Sequence, residues 1–339
     1  MGITADVLND VRTQIDADPE ALGEARNRLR LVRDAAAGLY GSLRTYASGS
    51  LAAHTMINPV SDGDGGVVLD RRFYPALGPE GGNEPPFEIV EDLCELIGPR
   101  IRVQYPNARI YTSKRGPKVT FGAPVCDQNP TVDLVVALTR KEGSGLWIPN
   151  LKKNTWEPSD PEGHVALLNS IDPSPRSIRR KVIRLAKAWN MQFVFPGVSS
   201  FQLSVWAHQF VNPGMGVAVG LHSLFSGAAS MLESHQATPD PLGVSANLKL
   251  LRPVDDVRRR LRKAADGLAA ALENDTSATE VRAALNRVFW NYVDAEESRG
   301  LAAAAQSLAR RQPVAAATLG LIGSTAVIPA TRSYGEQPR

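Results

Sequence analysis

Asp62 and Asp64 open an apolar run in the segment GSLAAHTMINPVSDGDGGVVLD, Gly49 to Asp70, which begins with a Gly-Ser pair. A third carboxylate, Asp133, stands alone in the strand-like TVDLVVAL. Side chains alternate faces along a strand, so Asp62 and Asp64 point the same way with Cα atoms roughly 6.5 Å apart. That spacing lets two carboxylates share a cation, or hold two cations about 3.5–4 Å apart. Asp133 lies among Val132, Leu134, Val135 and Val136 and reads as part of a strand buried on both faces. An unpaired carboxylate there costs several kcal/mol, so something positive must face it. A divalent ion shared with Asp62 and Asp64 meets that need, and hard oxygen donors favour Mg²⁺, with Mn²⁺ as the alternative. Gly49 lets the backbone approach a phosphate, and the Ser50 hydroxyl and the following amides can donate to its oxygens. Convergent acids beside a phosphate cradle are the parts that metal-dependent nucleotidyl transfer requires.

Read singly, these parts have plainer explanations. Asp62-Gly63-Asp64-Gly65 can make a hairpin turn. It could also begin a calcium loop, but the position where an EF-hand needs Glu is Phe73. The combination with Asp133 and Gly49-Ser50 carries the chemical reading. A nucleoside triphosphate brings roughly four negative charges and three carboxylates add about three, while two Mg²⁺ offset about four, so a Lys or Arg should complete the balance. In SIRRKVIRLAKAWN, Ile178, Val182, Leu185 and Trp189 form an apolar stripe with Lys187 at its edge, where a long side chain can reach into a cleft. Arg179, Arg180, Lys181 and Arg184 read as a solvated face, and Arg258, Arg259, Arg260, Arg262 and Lys263 as a surface charge run. The five histidines, His54, His164, His208, His222 and His235, show no ligand spacing and are assigned no catalytic role.

These residues need strands to aim them and helices to back the strands. Helical patterns cover residues 4–17 and 20–46, with Asp18-Pro19 as cap and first position of the second. Leu77–Pro86 is a Gly/Pro-rich loop, and Phe87–Gln104 a helix that ends near Gly98-Pro99. Ala108–Ser113, Lys118–Phe121 and Thr131–Leu138 read as strands. From Ser177 the chain reads as helices: Ser177–Met191, Ser200–Phe210, Val217–Glu233, Val254–Glu273 and Ala278–Arg310. With 339 residues, 43% hydrophobic and 22% charged, the chain is an ordinary globular one. A net charge of +3 gives no general argument for nucleic-acid binding. Two cysteines, Cys94 and Cys126, cannot build a four-cysteine zinc site. With no apolar leader and only an interrupted, short apolar stretch at 314–330, the expectation is a cytoplasmic protein without a membrane span.

Taken together, the residues resemble the polymerase-β-like nucleotidyltransferases, and within them the cGAS/DncV-like nucleotidyltransferases (CD-NTases), relatives of the 2′–5′ oligoadenylate synthetases. The resemblance rests on Gly49-Ser50, Thr55, Ser61-Asp62-Gly63-Asp64 and Val132-Asp133-Leu134-Val135, and on LWIPNLKKNTWEPSDPEGHVALLNS with its Ile-Pro, Trp, Asp-Pro and His. Lys187-Ala188-Trp189-Asn190 matches the helix whose lysine contacts the triphosphate, and Ser199-Ser200-Phe201 the pair whose serine binds phosphate beside an aromatic near the base. It spans residues 41–205. Gly65-Gly66 depart from the more apolar strand expected after the acids, and Gln202-Leu203-Ser204 from a Leu-Glu-rich helix start. The resemblance implies an α+β fold: a mixed-sheet palm, a helical C-terminal lobe and an N-terminal spine helix. The expected domains are 1–170 for the N-terminal helices and palm, 171–312 for the helical lobe and 313–339 for a tail. It implies catalysis and metal binding by Asp62, Asp64 and Asp133 with two Mg²⁺, and nucleotide contacts from Gly49, Ser50, Thr55, Lys187, Ser200 and Phe201. The implied substrates are ATP and others of GTP, CTP and UTP, joined into a cyclic or short linear second messenger that reaches an effector in bacterial anti-phage signalling. Addition of nucleotides to an RNA end or a protein is the enzymatic alternative, and a non-catalytic nucleotide-binding protein the alternative of another class.

Overall fold

The computed structural model describes residues 2–169, 173–294, 314–315 and 327–328. The chain gathers into two compact units, one from the described parts of Met1–Val11 and Lys263–Arg339, the other from Arg12–Arg262. In chain order the elements are α1 (Ile3–Gln14), α2 (Pro19–Ala36), β1 (Ser42–Ser48), α3 (Gly49–Ala52), β2 (Asp62–Leu69), α4 (Phe87–Gln104), β3 (Arg109–Thr112), β4 (Pro117–Thr120), β5 (Thr131–Thr139), β6 (Leu146–Asn150), β7 (Thr155–Ser159), α5 (Pro161–Asn169), α6 (Pro173–Met191), α7 (Ser200–Phe210), α8 (Val217–Glu233), α9 (Val254–Glu273), α10 (Ala278–Asn286), β8 (Val314–Ala315) and β9 (Val327–Ile328).

The larger unit is built on one mixed sheet of seven strands. Its main path runs β1-β2-β5-β4-β3, and β6 joins the far end of β5 with β7 beside it. β2 and β5 are parallel, and the other pairs are antiparallel. α2 and α4 cover one face: Ala25, Leu29 and Val32 of α2 and Val90, Leu93, Ile97 and Ile101 of α4 pack with Val67, Leu69, Val132, Leu134, Val136 and Leu138 of the sheet. On the other face Tyr46, Val68, Ala137, Leu146 and Ile148 form a smaller cluster. α6, α7 and α8 pack on one another with Trp189, Trp206, Leu221 and Phe225 buried.

Asp18 caps α2 as its sequence predicts, its carboxylate accepting the Ala21 amide at 2.8 Å. The helix does not continue to residue 46. It stops at Ala36, the chain turns through Gly41 at φ +71°, and SLRTYAS pairs with β2 from Ser42↔Leu69 to Ser48↔Asp64. Helix-forming composition before the turn conceals a strand that exists only because β2 lies alongside it. Conversely, α4 passes through Pro99, where the sequence suggests an end. Ile97 and Ile101 are fully buried, whereas Glu95 and Pro99 face outward, so the carbonyl left without a partner can be hydrated. The three expected strands appear as β3, β4 and β5, while β6 and β7 are additional.

In the smaller unit Thr4 anchors the start of α1, its amide donating to Asp275 at 2.7 Å and its hydroxyl to the Ala271 carbonyl at 2.8 Å. The helix expected over Ala278–Arg310 ends at Asn286 as α10, and residues 295–310 lie outside the described residues. So does the expected tail, apart from β8 and β9, which pair through Val314↔Ile328 and Ala315↔Val327. Among the described residues no helix is long and apolar enough to cross a membrane.

Candidate active site

Parallel pairing sets Asp64 of β2 opposite Asp133 of β5. Burial alternates from Asp62 to Gly65 of β2 and from Thr131 to Val136 of β5, so Asp62, Asp64 and Asp133 share the face turned away from α2 and α4. One carboxylate oxygen from each lies within 4.8 Å of the other two, the one such cluster among the described residues. Asp133 differs from its expected setting. Its strand is open on one side, its side chain is about 30% exposed, and Lys118 Nζ donates to it at 2.7 Å. Lys118 is the cross-strand neighbour of Asp133 and the sole charge on β4. The positive partner inferred from the sequence is therefore present as a lysine, and the need for a counter-charge falls on the Asp62–Asp64 pair. Burial, then repulsion from Asp62 and Asp133, pushes the Asp64 carboxyl up to about 7 against the pull of Lys187 and Lys118.

The phosphate cradle follows β1 directly. Gly49 begins α3 at φ +63°, and a Cβ there would lie 1.9 Å from an Asp64 oxygen. The backbone disfavours a side chain there, and the Asp64 carboxylate would have to move to admit one. Ser50 has a weak acceptor, Met56 Sδ at 3.4 Å, so its hydroxyl can turn to a better one. Thr55 is buried, its amide donating to the Ser50 carbonyl at 2.9 Å, and its own carbonyl accepts Lys187 Nζ at 2.9 Å. Ser61 donates to Asp62 at 3.0 Å.

Lys187 reaches this loop from α6 and is 7% exposed. Burial draws it down to about 8, although Asp62 and Asp64 favour its charge. Ser199 caps α7 by accepting the Gln202 amide at 3.1 Å, which leaves Ser200 and Phe201 at the helix start. All nine residues singled out in the sequence line one cleft of about 770 Å³, together with Lys114, Arg115, Lys118 and His164. Lys118 emerges only in three dimensions, placed by strand pairing, and packing gives His164, the His of the 146–170 segment, its place in the cleft. The arginines read as a solvated face are instead half-buried and engaged, Arg179 with the Val211 carbonyl at 2.8 Å and Arg180 with Asn169 at 2.7 Å.

Three hard oxygen donors on rigid strands suit Mg²⁺ or Mn²⁺, and the raised Asp64 marks a place lacking positive charge. A buried lysine and serine hydroxyls lining the same cleft suit a polyphosphate.

This palm with its helical partner is the CD-NTase nucleotidyltransferase fold. At 16% identity the chain is similar to Escherichia coli MS115-1 CdnC in a complex with HORMA-deltaN, with a TM-score of 0.64 over 86% of this chain and 98% of that one. It is equally similar, at 16% identity and a TM-score of 0.64, to the Bradyrhizobium diazoefficiens CD-NTase CdnG in complex with GTP, over 85% and 95% of the two chains. Vibrio cholerae DncV cyclic AMP-GMP synthase with the linear intermediate 5′ pppA(3′,5′)pG aligns at 15% identity and a TM-score of 0.55, over 86% and 87%. No protein-family model and no curated protein sequence matches the chain.

Proposed function

We propose that this chain is a Mg²⁺-dependent nucleotidyltransferase that joins nucleoside triphosphates into a cyclic or short linear oligonucleotide messenger. The observation that carries the reading is the convergence of Asp62, Asp64 and Asp133 on a cleft that also holds a buried lysine and the Gly49-Ser50 loop. Asp62, Asp64 and Asp133 would hold the metal, which when bound activates an acceptor hydroxyl and offsets charge on the leaving pyrophosphate. Lys187 lies where it can neutralise a triphosphate, and its hydrogen bond to the Thr55 carbonyl fixes it against the phosphate loop. Gly49 keeps the loop close enough to Asp64 for phosphate and carboxylates to share one space. Lys118 holds one oxygen of Asp133 and leaves the other for the cleft.

The complex of CdnG with GTP and of DncV with a linear dinucleotide intermediate supports NTPs as substrates and a stepwise product. A messenger of this kind acts through an effector that binds it, and the anti-phage role belongs to the same proposal. The test is product formation from labelled NTPs with Mg²⁺, by wild type and by Asp62→Asn with Asp64→Asn. A phosphatase-resistant small product that the double variant does not make is the expected result. Label found only on added RNA or protein would move the reading to end- or side-chain modification. Full activity in the double variant would overturn the site.

A further inference from the structure

The segment between α8 and α9 contains a loop that ties two walls of the cleft together. Its ends meet, the Leu248 amide donating to the Thr238 carbonyl at 2.8 Å. Thr238 Oγ1 accepts from Gln202 Nε2 and from Trp206 Nε1, each at 2.9 Å, and both belong to α7, the helix that starts with Ser200 and Phe201. Asp240 is buried in the same loop. One of its oxygens meets His164 Nε2 of α5 at 2.5 Å, and the other accepts the amides of Val244 at 2.9 Å and Ser245 at 2.7 Å. Burial alone would raise the Asp240 carboxyl, but the Ser245 amide and His164 outweigh it and hold it below the usual range. An ionised carboxylate only accepts, so the hydrogen of this bond sits on His164 Nε2. The loop also seats closely on the palm: a Cβ on Gly163 would be 2.6 Å from Leu242, and one on Gly145 would be 2.9 Å from Val244.

The His164 ring so held lies 4.6 Å from the Phe201 ring, tilted by 50°, and both line the cleft. Phe201 is half-exposed, and a ring at a helix start has several rotamers open to it unless a neighbour selects one. We propose that His164, anchored by Asp240, is a positioning residue that fixes the Phe201 ring as the surface on which the nucleobase of a bound NTP rests. This rests on the nucleotide-binding reading above. A base contact made on a preset ring gains affinity that a mobile ring spends on ordering, whereas the phosphate contacts at Lys187 and Ser50 stay as they are.

Two probes separate base from phosphate: the tightest of four non-hydrolysable NTPs, and inorganic tripolyphosphate, both titrated with Mg²⁺ into the full chain. His164→Gln keeps a donor toward Asp240 and loses the ring, while Asp240→Asn keeps the ring and weakens its anchor. Each is expected to weaken NTP binding about fivefold to tenfold and leave tripolyphosphate binding unchanged, given the size of aromatic pair contributions. His164→Phe, which returns a ring without the bond to Asp240, should recover only part of the loss. Thermal melts accompany the titrations, and if one variant fails to fold the other carries the comparison. If both fail, His164→Phe decides: a partial loss of NTP binding that spares tripolyphosphate supports the proposal, and wild-type NTP binding overturns it. Unchanged NTP binding, or an equal loss with tripolyphosphate, overturns the proposal. A wild type that binds tripolyphosphate and not NTPs refutes the base contact alone, while one that binds neither refutes the functional reading and this inference together.

Discussion

Asp64 and Lys187 carry opposite charges, yet burial in one cleft drives both toward neutrality. For Lys187 this makes proton linkage visible. In the free protein it is half neutral near pH 8, and an arriving triphosphate favours the charged form, raising its pKa. Above about pH 8, binding must therefore take up a fraction of a proton, and affinity should fall as pH rises further. Calorimetry in buffers of different ionisation enthalpy at pH 8.5 should detect the uptake, and Lys187→Met should abolish it while weakening binding. The acids and Lys187 were legible in the sequence because their signals are local: an Asp-x-Asp before an apolar run, an Asp inside another, a lysine at the rim of a helical stripe. Lys118 was not, since which residue stands across from Asp133 depends on strand order. His164 stands in the segment that carries the resemblance, yet its pairing with Asp240 stayed hidden for the same reason, since packing alone brings the two together.

The order of elements was largely readable too, with errors where composition and context disagree. Ser42–Ser48 follows an Ala/Arg helix and reads in the sequence as its continuation, yet it is the edge of the sheet. The glycines of β2, unexpected in a buried strand, find their reason in that same edge. A Cβ on Gly66 would sit 2.3 Å from the Tyr46 ring, and one on Gly65 would be 2.6 Å from the Tyr46 carbonyl. Gly66→Ala should therefore cost about 1–3 kcal/mol by overpacking, measured by urea denaturation. Tyr46→Leu in the same chain should return part of it, a coupling of about 0.5–3 kcal/mol in a double-mutant cycle. Arg28 does comparable work on the opposite face of the sheet. Fully buried between Tyr105 and Phe121, it donates to Asn129 at 2.8 Å, to the Pro130 carbonyl at 2.7 Å and to the Ala123 carbonyl, pinning the loop that enters β5. Arg28→Met strands those acceptors and Glu24, so a loss of about 3–5 kcal/mol is expected from chemical denaturation.

For the molecule as a whole, a site formed by strands and helix together should make ligand binding report on folding. Mg²⁺ with a non-hydrolysable NTP at a hundred times its dissociation constant should stabilise the chain by about 2.7 kcal/mol, seen as a rise in Tm. The Asp62→Asn, Asp64→Asn double variant should show little or none of that rise. The parallel pairing of β2 with β5 adds a constraint in time. Asp64 and Asp133 meet only after everything from Asp70 to Pro130, including α4, β3 and β4, has been laid down between them. Contacts so distant along the chain form after the loop between them has closed. A nascent chain that ends before β5 thus holds the acid pair without its third member. The acid cluster therefore comes together only with the central parallel pair of the sheet, while β6 and β7 are still to be added at its end.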